Sequence, residues 1–206
     1  MVRLAEELKR IGPYADVLHL DVADGHFAPA MLFFPDLVAA IRKISELPIH
    51  VHLMVADDVV LAQIGQFVEA GSDLISIPLE NASVADAALD LLDQKHIAAG
   101  MVVKVETPVV GIASYLPRLR FLTLLGTPIG VKGRGLNESA GDRLRKAKRL
   151  IDASGAIKRI VLAADGGIRE HSVPVLRDAG AETVVLGSLA FGATDLGARM
   201  AWLYAL

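Results

Sequence analysis

Residues 17–25 read Val17-Leu18-His19-Leu20-Asp21-Val22-Ala23-Asp24-Gly25. Side chains alternate between the two faces of a strand, so His19 and Asp21 point to the same face of a run that is otherwise apolar. Residues 48–54 and 160–167 have the same character, because each is an apolar run that carries polar groups and stops at a turn. Three distant segments therefore bring polar side chains to the place where a strand gives way to a turn.

Two histidines and two carboxylates on these segments form a candidate metal site. They are His19, Asp21, His52 and Asp165. An isolated strand histidine is most often a packed residue, but two histidines in one layer with carboxylates are typical of a divalent metal site. We expect His50, one layer deeper, to be a packed histidine. Asp24-Gly25 is first of all a turn signal.

Strand-like and helix-like stretches alternate along the chain. The strand-like runs lie near residues 17–21, 48–53, 73–77, 98–103, 119–125, 159–165 and 183–187, and the amphipathic stretches near 2–11, 35–46, 57–70, 83–95, 109–116, 137–153, 171–180 and 189–204. Strict alternation with short turns indicates a parallel sheet, and near-continuous apolar strands indicate that helices cover both of its faces.

The pattern predicts an α/β fold, a (β/α)8 TIM barrel that lacks the first β-strand in the chain as given. Residues 1–206 are expected to form a single β/α-barrel domain. The missing strand would precede Val2. Because strand number, tilt and shear are linked in a barrel, seven strands leave unpaired edges beside the first and last strands.

Composition limits the function classes. The net charge is −3 with charges scattered, and no cluster of basic and aromatic residues predicts a nucleic-acid surface. There is no cysteine, no signal-like N-terminus and no apolar run of the ~18 residues that a membrane span needs, so we expect a cytoplasmic protein. A mean hydropathy of +0.46 favours a homo-oligomer, with residues 200–206 as one candidate patch.

Glycines follow the last two predicted strands. Gly166 and Gly167 close one, and Gly187-Ser188 closes the other and opens the final helix. In β/α barrels, phosphate commonly binds at these two loops, where backbone N–H groups approach the anion. Tight strand-to-helix turns also require glycine, so each motif alone is weak. Their joint placement favours a phosphate site.

Three motifs together carry a family resemblance. They are residues 18–29, residues 50–55 and the turn at Asp165-Gly166-Gly167-Ile168. The chain resembles ribulose-phosphate 3-epimerase from residue 1 to about 195. The resemblance implies a β/α barrel, one divalent metal and reversible inversion at C3 of a ketose phosphate, such as D-ribulose 5-phosphate to D-xylulose 5-phosphate.

The resemblance also assigns roles to positions of this chain. It implies that His19, Asp21, His52 and Asp165 bind the metal and that Asp21 and Asp165 are the acid/base pair. It implies phosphate contacts at Gly166, Gly167, Gly187 and Ser188. Met54 would face the site and shield the enediolate from water, although an apolar filler role stays open.

The chemistry is consistent with these residue types. Epimerisation beside a carbonyl removes a proton from one face of C3 and returns one to the other, so two opposed carboxylates suffice. A metal that polarises the C2 oxygen would stabilise the enediolate, and mixed histidine and carboxylate ligands suit zinc, iron, manganese or cobalt better than magnesium.

Departures from the family pattern leave alternatives open. Pro78 and Ala23 replace a usual histidine and methionine, and the segment 127–135 replaces a Gly-rich phosphate loop while adding Lys132 and Arg134. Two alternatives to D-ribulose 5-phosphate epimerisation therefore stay open: epimerisation of another sugar phosphate such as allulose 6-phosphate, or a non-catalytic sugar-phosphate-binding barrel. The related keto-gulonate phosphate decarboxylases are disfavoured, because Ala23 stands where they have lysine.

Overall fold

A parallel β-sheet forms the centre of the computed structural model, which describes residues 3–130, 133–156 and 159–206. Seven strands lie in these residues and pair in chain order. They are β1 (Leu18–Ala23), β2 (Ile49–Met54), β3 (Leu74–Pro78), β4 (Ala98–Val103), β5 (Phe121–Leu125), β6 (Val161–Asp165) and β7 (Thr183–Val184). The sheet curls into an α/β barrel that lacks one strand, as predicted.

Helices connect the strands and cover the outside of the sheet. Within the described ranges they are α1 (Leu4–Ile11), α2 (Pro35–Arg42), α3 (Val60–Glu69), α4 (Ala85–Gln94), α5 (Ala140–Ala153), α6 (Val173–Asp178), α7 (Ser188–Phe191) and α8 (Leu196–Tyr204), with 3-10 helices at Gly12–Tyr14, Val109–Ile112 and Leu116–Arg118. None of these helices is long and apolar enough to cross a bilayer.

The central strands β2 to β5 are buried on both faces, which explains their nearly continuous apolar sequences. In β2 all six residues are buried, and Ile49, Val51 and Leu53 belong to the main hydrophobic core. The alternate residues of β2, which include His50 and His52, face the inside of the barrel. The helices therefore cover one side of each strand, and the other side is available for polar groups.

The barrel is open between β1 and β7. On this side of β1 the chain folds back, and the N–H groups of Leu32 and Phe33 donate to the carbonyl oxygens of Ala23 and Asp21 at 3.3 Å each. Both residues of β7 are only half-buried. The open edge of β1 is thus partly paired by the loop that follows it, whereas β7 is short and partly exposed.

Several predicted elements differ from the observed ones. The helix expected at 109–116 is instead two 3-10 helices, because Gly111 disfavours an α-helix and Pro117, which has no N–H, cannot continue one. The last predicted helix is divided into α7 and α8, where Asp195 accepts a hydrogen bond from the Ala198 N–H and caps the second helix. Strand β1 continues to Ala23, so Asp21 lies two residues before its end.

Candidate metal centre and active site

Four side chains from three strands meet inside the barrel. Strands β1 and β2 pair in a register that places Asp21 opposite His52, and His19 lies on the same face of β1. Asp165 ends β6 on the inner face. One potential ligand atom from each of the four residues lies within 4.8 Å of the other three. The structure therefore brings together the complete predicted metal set.

The distances within this set suit a metal ion. His19 Nε2 lies 3.2 Å from Asp21 Oδ1 and 3.9 Å from Asp165 Oδ2, and His52 Nδ1 lies 3.1 Å from Asp21 Oδ1. Four ligand atoms around a tetrahedral zinc ion, with bonds of about 2.0–2.2 Å, are roughly 3.4 Å apart. Small side-chain movements would complete such a sphere, so the donors fit a divalent metal in both chemistry and spacing.

The surroundings of His52 differ from those of an ordinary packed histidine. Its side chain is fully buried, and its Nδ1 lies next to Asp21. Its Nε2 is buried without a hydrogen-bond partner among the described residues. A core histidine normally has both ring nitrogens satisfied. The contact of Nδ1 with Asp21 is therefore the polar contact that holds this ring, and Nδ1 is the nitrogen directed at the cluster.

The surroundings shift the pKa values of the two carboxylates in opposite directions. Burial acts to raise the pKa of Asp21, but hydrogen bonds with His19 and His52 outweigh it and hold the pKa well below its usual range. For Asp165, burial is the dominant effect and raises the pKa, despite the opposing charge of His19. Burial also opposes the charged form of His19, yet the contact with Asp21 leaves the pKa of His19 raised. The cluster thus contains one carboxylate with a lowered pKa, Asp21, and one with a raised pKa, Asp165, within a few ångströms of each other.

A second layer of polar residues lies beneath His19. His50 Nδ1 is 3.1 Å from His19 Nδ1, and His50 Nε2 is 2.8 Å from Ser76 Oγ. Phe121 packs against the His50 ring at a centroid distance of 4.8 Å. Burial lowers the pKa of His50 well below its usual value, because it disfavours the charged imidazolium, and the neighbouring His19 and His52 act in the same direction. His50 is buried as expected, but no sequence pattern predicted its contact with Ser76.

An apolar cluster covers the metal set at the mouth of the barrel. Met54 and Ala23 lie two residues beyond His52 and Asp21 on the same strand faces, and they pack with Ala28 and Phe27. The Lys104 ammonium lies 3.8 Å from the centre of the Phe27 ring. Met54 lies on the inner face of β2 in this cluster, and its role as a shield stays a prediction. Lys104 was not among the predicted site residues, although it directly follows β4, at the end of the barrel where site residues are expected.

The loop after β5 reaches this cluster from the other side of the mouth. Ile129 packs against the apolar cluster, and a Cβ on Gly130 would lie 2.7 Å from the Pro29 ring. The two loops are therefore in direct contact above the metal set. Of the two basic residues predicted in the later part of this loop, Arg134 is exposed, and Lys132 lies outside the described residues.

The four glycine-turn positions fall into two groups. Gly166 and Gly167 have positive φ angles of 87° and 72°, and Cβ atoms there would meet Thr127 and Leu136 within 2.4 and 2.7 Å. Gly187 and Ser188 are exposed, and a Cβ on Gly187 would meet no atom within 4 Å. Glycine is required at the first pair because the loop after β5 lies against it. The second pair is open to a ligand.

Comparison with known proteins agrees with this geometry. The model of the ribulose-phosphate 3 epimerase family matches residues 1–191. The chain belongs to this family. It is 32% identical over 181 residues to ribulose-phosphate 3-epimerase of Bacillus subtilis, covering 88% of this chain and 82% of that one. It is 35% identical over 185 residues to the enzyme of the same name from Aquifex aeolicus, covering 90% and 82%. The chain is therefore an isomerase of the epimerase type, and the resemblance read from the sequence is confirmed.

Solved structures confirm the barrel. A 3-hexulose-6-phosphate synthase superposes with a TM-score of 0.71 at 17% identity, covering 98% of this chain and 91% of that one. A 3-keto-L-gulonate-6-phosphate decarboxylase from Vibrio cholerae also gives 0.71 at 16% identity, covering 96% and 87%. At such low identity these similarities establish the fold alone.

Proposed function

We propose that this protein is a metal-dependent ketose-phosphate 3-epimerase that interconverts D-ribulose 5-phosphate and D-xylulose 5-phosphate. The convergence of His19, Asp21, His52 and Asp165 within 4.8 Å on the inner face of the barrel carries the proposal. The names of the similar proteins support the choice of substrate. In β/α barrels, catalytic groups lie towards the C-terminal ends of strands. Here Asp165 ends β6, and Asp21 and His52 lie two residues before the ends of β1 and β2.

The four residues would hold one divalent ion of zinc, iron, manganese or cobalt. When bound, it supplies Lewis-acid stabilisation of the negative charge that develops on the C2 oxygen as C3 loses its proton. His19 and His52 would contribute neutral nitrogen ligands, and Asp21 and Asp165 anionic oxygen ligands.

Asp21 and Asp165 would also move the protons. They come from β1 and β6, which the sheet separates by four intervening strands, so they reach the substrate from different directions. One carboxylate removes the C3 proton from one face, and the other, in its protonated form, delivers a proton to the opposite face. The reverse reaction exchanges the two roles, so both directions use the same pair.

The apolar cluster at the mouth would keep water from the reacting carbon. Met54, Ala23 and Phe27 pack together directly above the metal set. Removal of water strengthens the electrostatic interactions of the site and protects the enediolate from stray protonation. Met54 is the best placed of these residues, because it lies next to His52 on the same face of β2.

The phosphate group would bind at the turns after β6 and β7. Gly187 and Ser188 would donate backbone N–H groups, since both are exposed and neither N–H has an acceptor among the described residues. Gly166 and Gly167 would complete the site from β6. The exposed Arg134 is available for a further charge contact, which is the use we propose for it.

A hexulose 6-phosphate such as allulose 6-phosphate is the second candidate substrate. Ala23 and Pro78 both face the inside of the barrel at strand ends. These residues are shorter than those of the family pattern and change the pocket wall at two places. This difference is the reason for a sugar with one more carbon as the alternative.

The test is proton NMR of both sugars in D2O with zinc-loaded protein, which follows deuteration at C3 and epimer formation. We expect exchange with the wild type and at least about 100-fold slower exchange with Asp165→Asn, because one acid/base group is lost. Asp93→Asn on the exposed face of α4 is the matched control and should behave as wild type. Absence of exchange with both sugars in metal-loaded wild type would instead indicate a non-catalytic sugar-phosphate-binding barrel.

A further inference from the structure

The ring of His19 is held between the metal set and a second histidine. Its Nε2 faces the carboxylates of Asp21 and Asp165, whereas its Nδ1 lies 3.1 Å from His50 Nδ1. The two rings meet edge to face, with centroids 4.6 Å apart and an interplanar angle of 84°. Only one of the two facing nitrogens can carry the proton of this hydrogen bond.

We propose that His50 is a positioning residue that fixes the ring orientation and tautomer of His19. This inference rests on the proposed metal site. If His19 Nε2 is a ligand, its proton must be on Nδ1, which then donates to His50 Nδ1. His50 in turn carries its own proton on Nε2, which donates to Ser76 Oγ at 2.8 Å. The hydrogen-bonded chain therefore has one direction, from His19 through His50 to Ser76.

The far end of this chain is anchored by the barrel. Ser76 is fully buried on β3, and a Cβ on its neighbour Gly100 would lie 2.0 Å from Ser76 Oγ. Glycine at this position of β4 therefore leaves the room that the hydroxyl occupies. Phe121 of β5 packs against the His50 ring and restricts its movement. Residues on five adjacent strands thus determine where His19 points.

His50 is an unusual hydrogen-bond acceptor for a histidine that binds a metal. Ligand histidines mostly donate their second N–H to a carboxylate, a backbone carbonyl or water. Here the acceptor is a neutral imidazole, which adds no negative charge beneath a site that already contains two carboxylates. Among the described residues, Asp21 and Asp165 are the carboxylates of the set that would balance the charge of the ion, and the orientation of His19 is set by a group that is not an anion.

Two substitutions at His50 separate positioning from packing. The amide of asparagine occupies the place of ring Nδ1 and can still accept the His19 proton. The amide of glutamine occupies the place of Nε2, so it stays near Ser76 and leaves His19 without its acceptor. We expect His50→Gln to bind zinc 10- to 100-fold more weakly than wild type, and His50→Asn within about threefold of it. Competition with a chelating dye measures both affinities.

Nitrogen-15 NMR of the zinc-loaded wild type tests the same inference without a substitution. We expect the ring proton of His19 on Nδ1 and that of His50 on Nε2. A His50 proton on Nδ1, or equal zinc affinity of His50→Gln and wild type, would overturn the positioning role while the proposed function stands. Failure of the wild type to bind zinc would overturn both, so the two failures are distinguishable.

Discussion

Asp24 closes the turn after β1 by accepting three backbone N–H groups. Its Oδ1 accepts from His26 and Phe27, and its Oδ2 from Ala56, each at 2.8 Å. This carboxylate therefore joins the loop that contains Phe27 to the loop that follows β2. The turn signal read at Asp24-Gly25 is confirmed, and the contact with Ala56 adds a long-range tie that no turn rule contains.

At the residue scale, we expect Asp24→Ala to lower the free energy of unfolding by about 1–2 kcal/mol at neutral pH, since three hydrogen bonds to a partly exposed carboxylate are lost. Burial acts to raise the pKa of Asp24, but the three backbone hydrogen bonds outweigh it and lower the pKa. The stabilisation is therefore present above the ordinary aspartate pKa and disappears as the pH falls through the lowered value.

Urea denaturation of wild type and Asp24→Ala at neutral and acid pH measures this difference, with Asp93→Ala as the exposed control. The difference between wild type and Asp24→Ala should shrink in acid. A difference that is independent of pH would show that the charge of Asp24 is irrelevant to the turn.

At the scale of elements, the turns after β6 and β7 use glycine for different reasons. Gly167 has a positive φ and lies against Leu136, whereas Gly187 has open space where a Cβ would be. We expect Gly167→Ala to cost about 2 kcal/mol or more through backbone strain and overpacking. Gly187→Ala should cost less than about 1 kcal/mol, because nothing is displaced.

The same pair of variants tests the phosphate site. A methyl group on Gly187 would intrude where a phosphate approaches Ser188, so binding of inorganic phosphate should weaken while stability is kept. Thermal denaturation and calorimetric titration measure the two properties. Unchanged phosphate affinity in Gly187→Ala would place the anion elsewhere.

At the scale of the whole molecule, the opening between β1 and β7 limits stability. Thr183 and Val184 are half-buried, whereas every residue of β2 is buried. We expect that fusing an apolar strand ahead of Met1 raises the free energy of unfolding by several kcal/mol, since it would pair both edges and bury apolar surface. A Gly-Ser segment of equal length is the control.

Chemical denaturation measures this gain through both midpoint and slope, because a completed barrel exposes more surface on unfolding. An unchanged midpoint would show that the loop at Leu32 and Phe33 already satisfies the edge of β1. The homo-oligomer and the single-domain organisation expected from the sequence remain predictions, and the molar mass in solution measures the first of them.

The sequence by itself determined the strands, their parallel order and the four side chains that meet inside the barrel. This was possible because strand periodicity assigns His19 and Asp21 to one face, and because strands buried on both faces are recognisably apolar. Elements with weak local sequence patterns were harder to predict. The helix expected at 109–116 was wrong, since the apolar spacing suits an α-helix but Gly111 and Pro117 disfavour one.

Only the tertiary structure decided which side chains touch across the barrel. The contact of His50 with Ser76 joins residues 26 positions apart, and the contact of Lys104 with Phe27 joins two loops. Gly167 is needed for packing because Leu136, on a different loop, lies against it. Gly187 has open space where a Cβ would be. Periodicity fixes the face on which a residue lies, but strand register and barrel curvature fix the distance between faces, and these arise only when all the strands pack together.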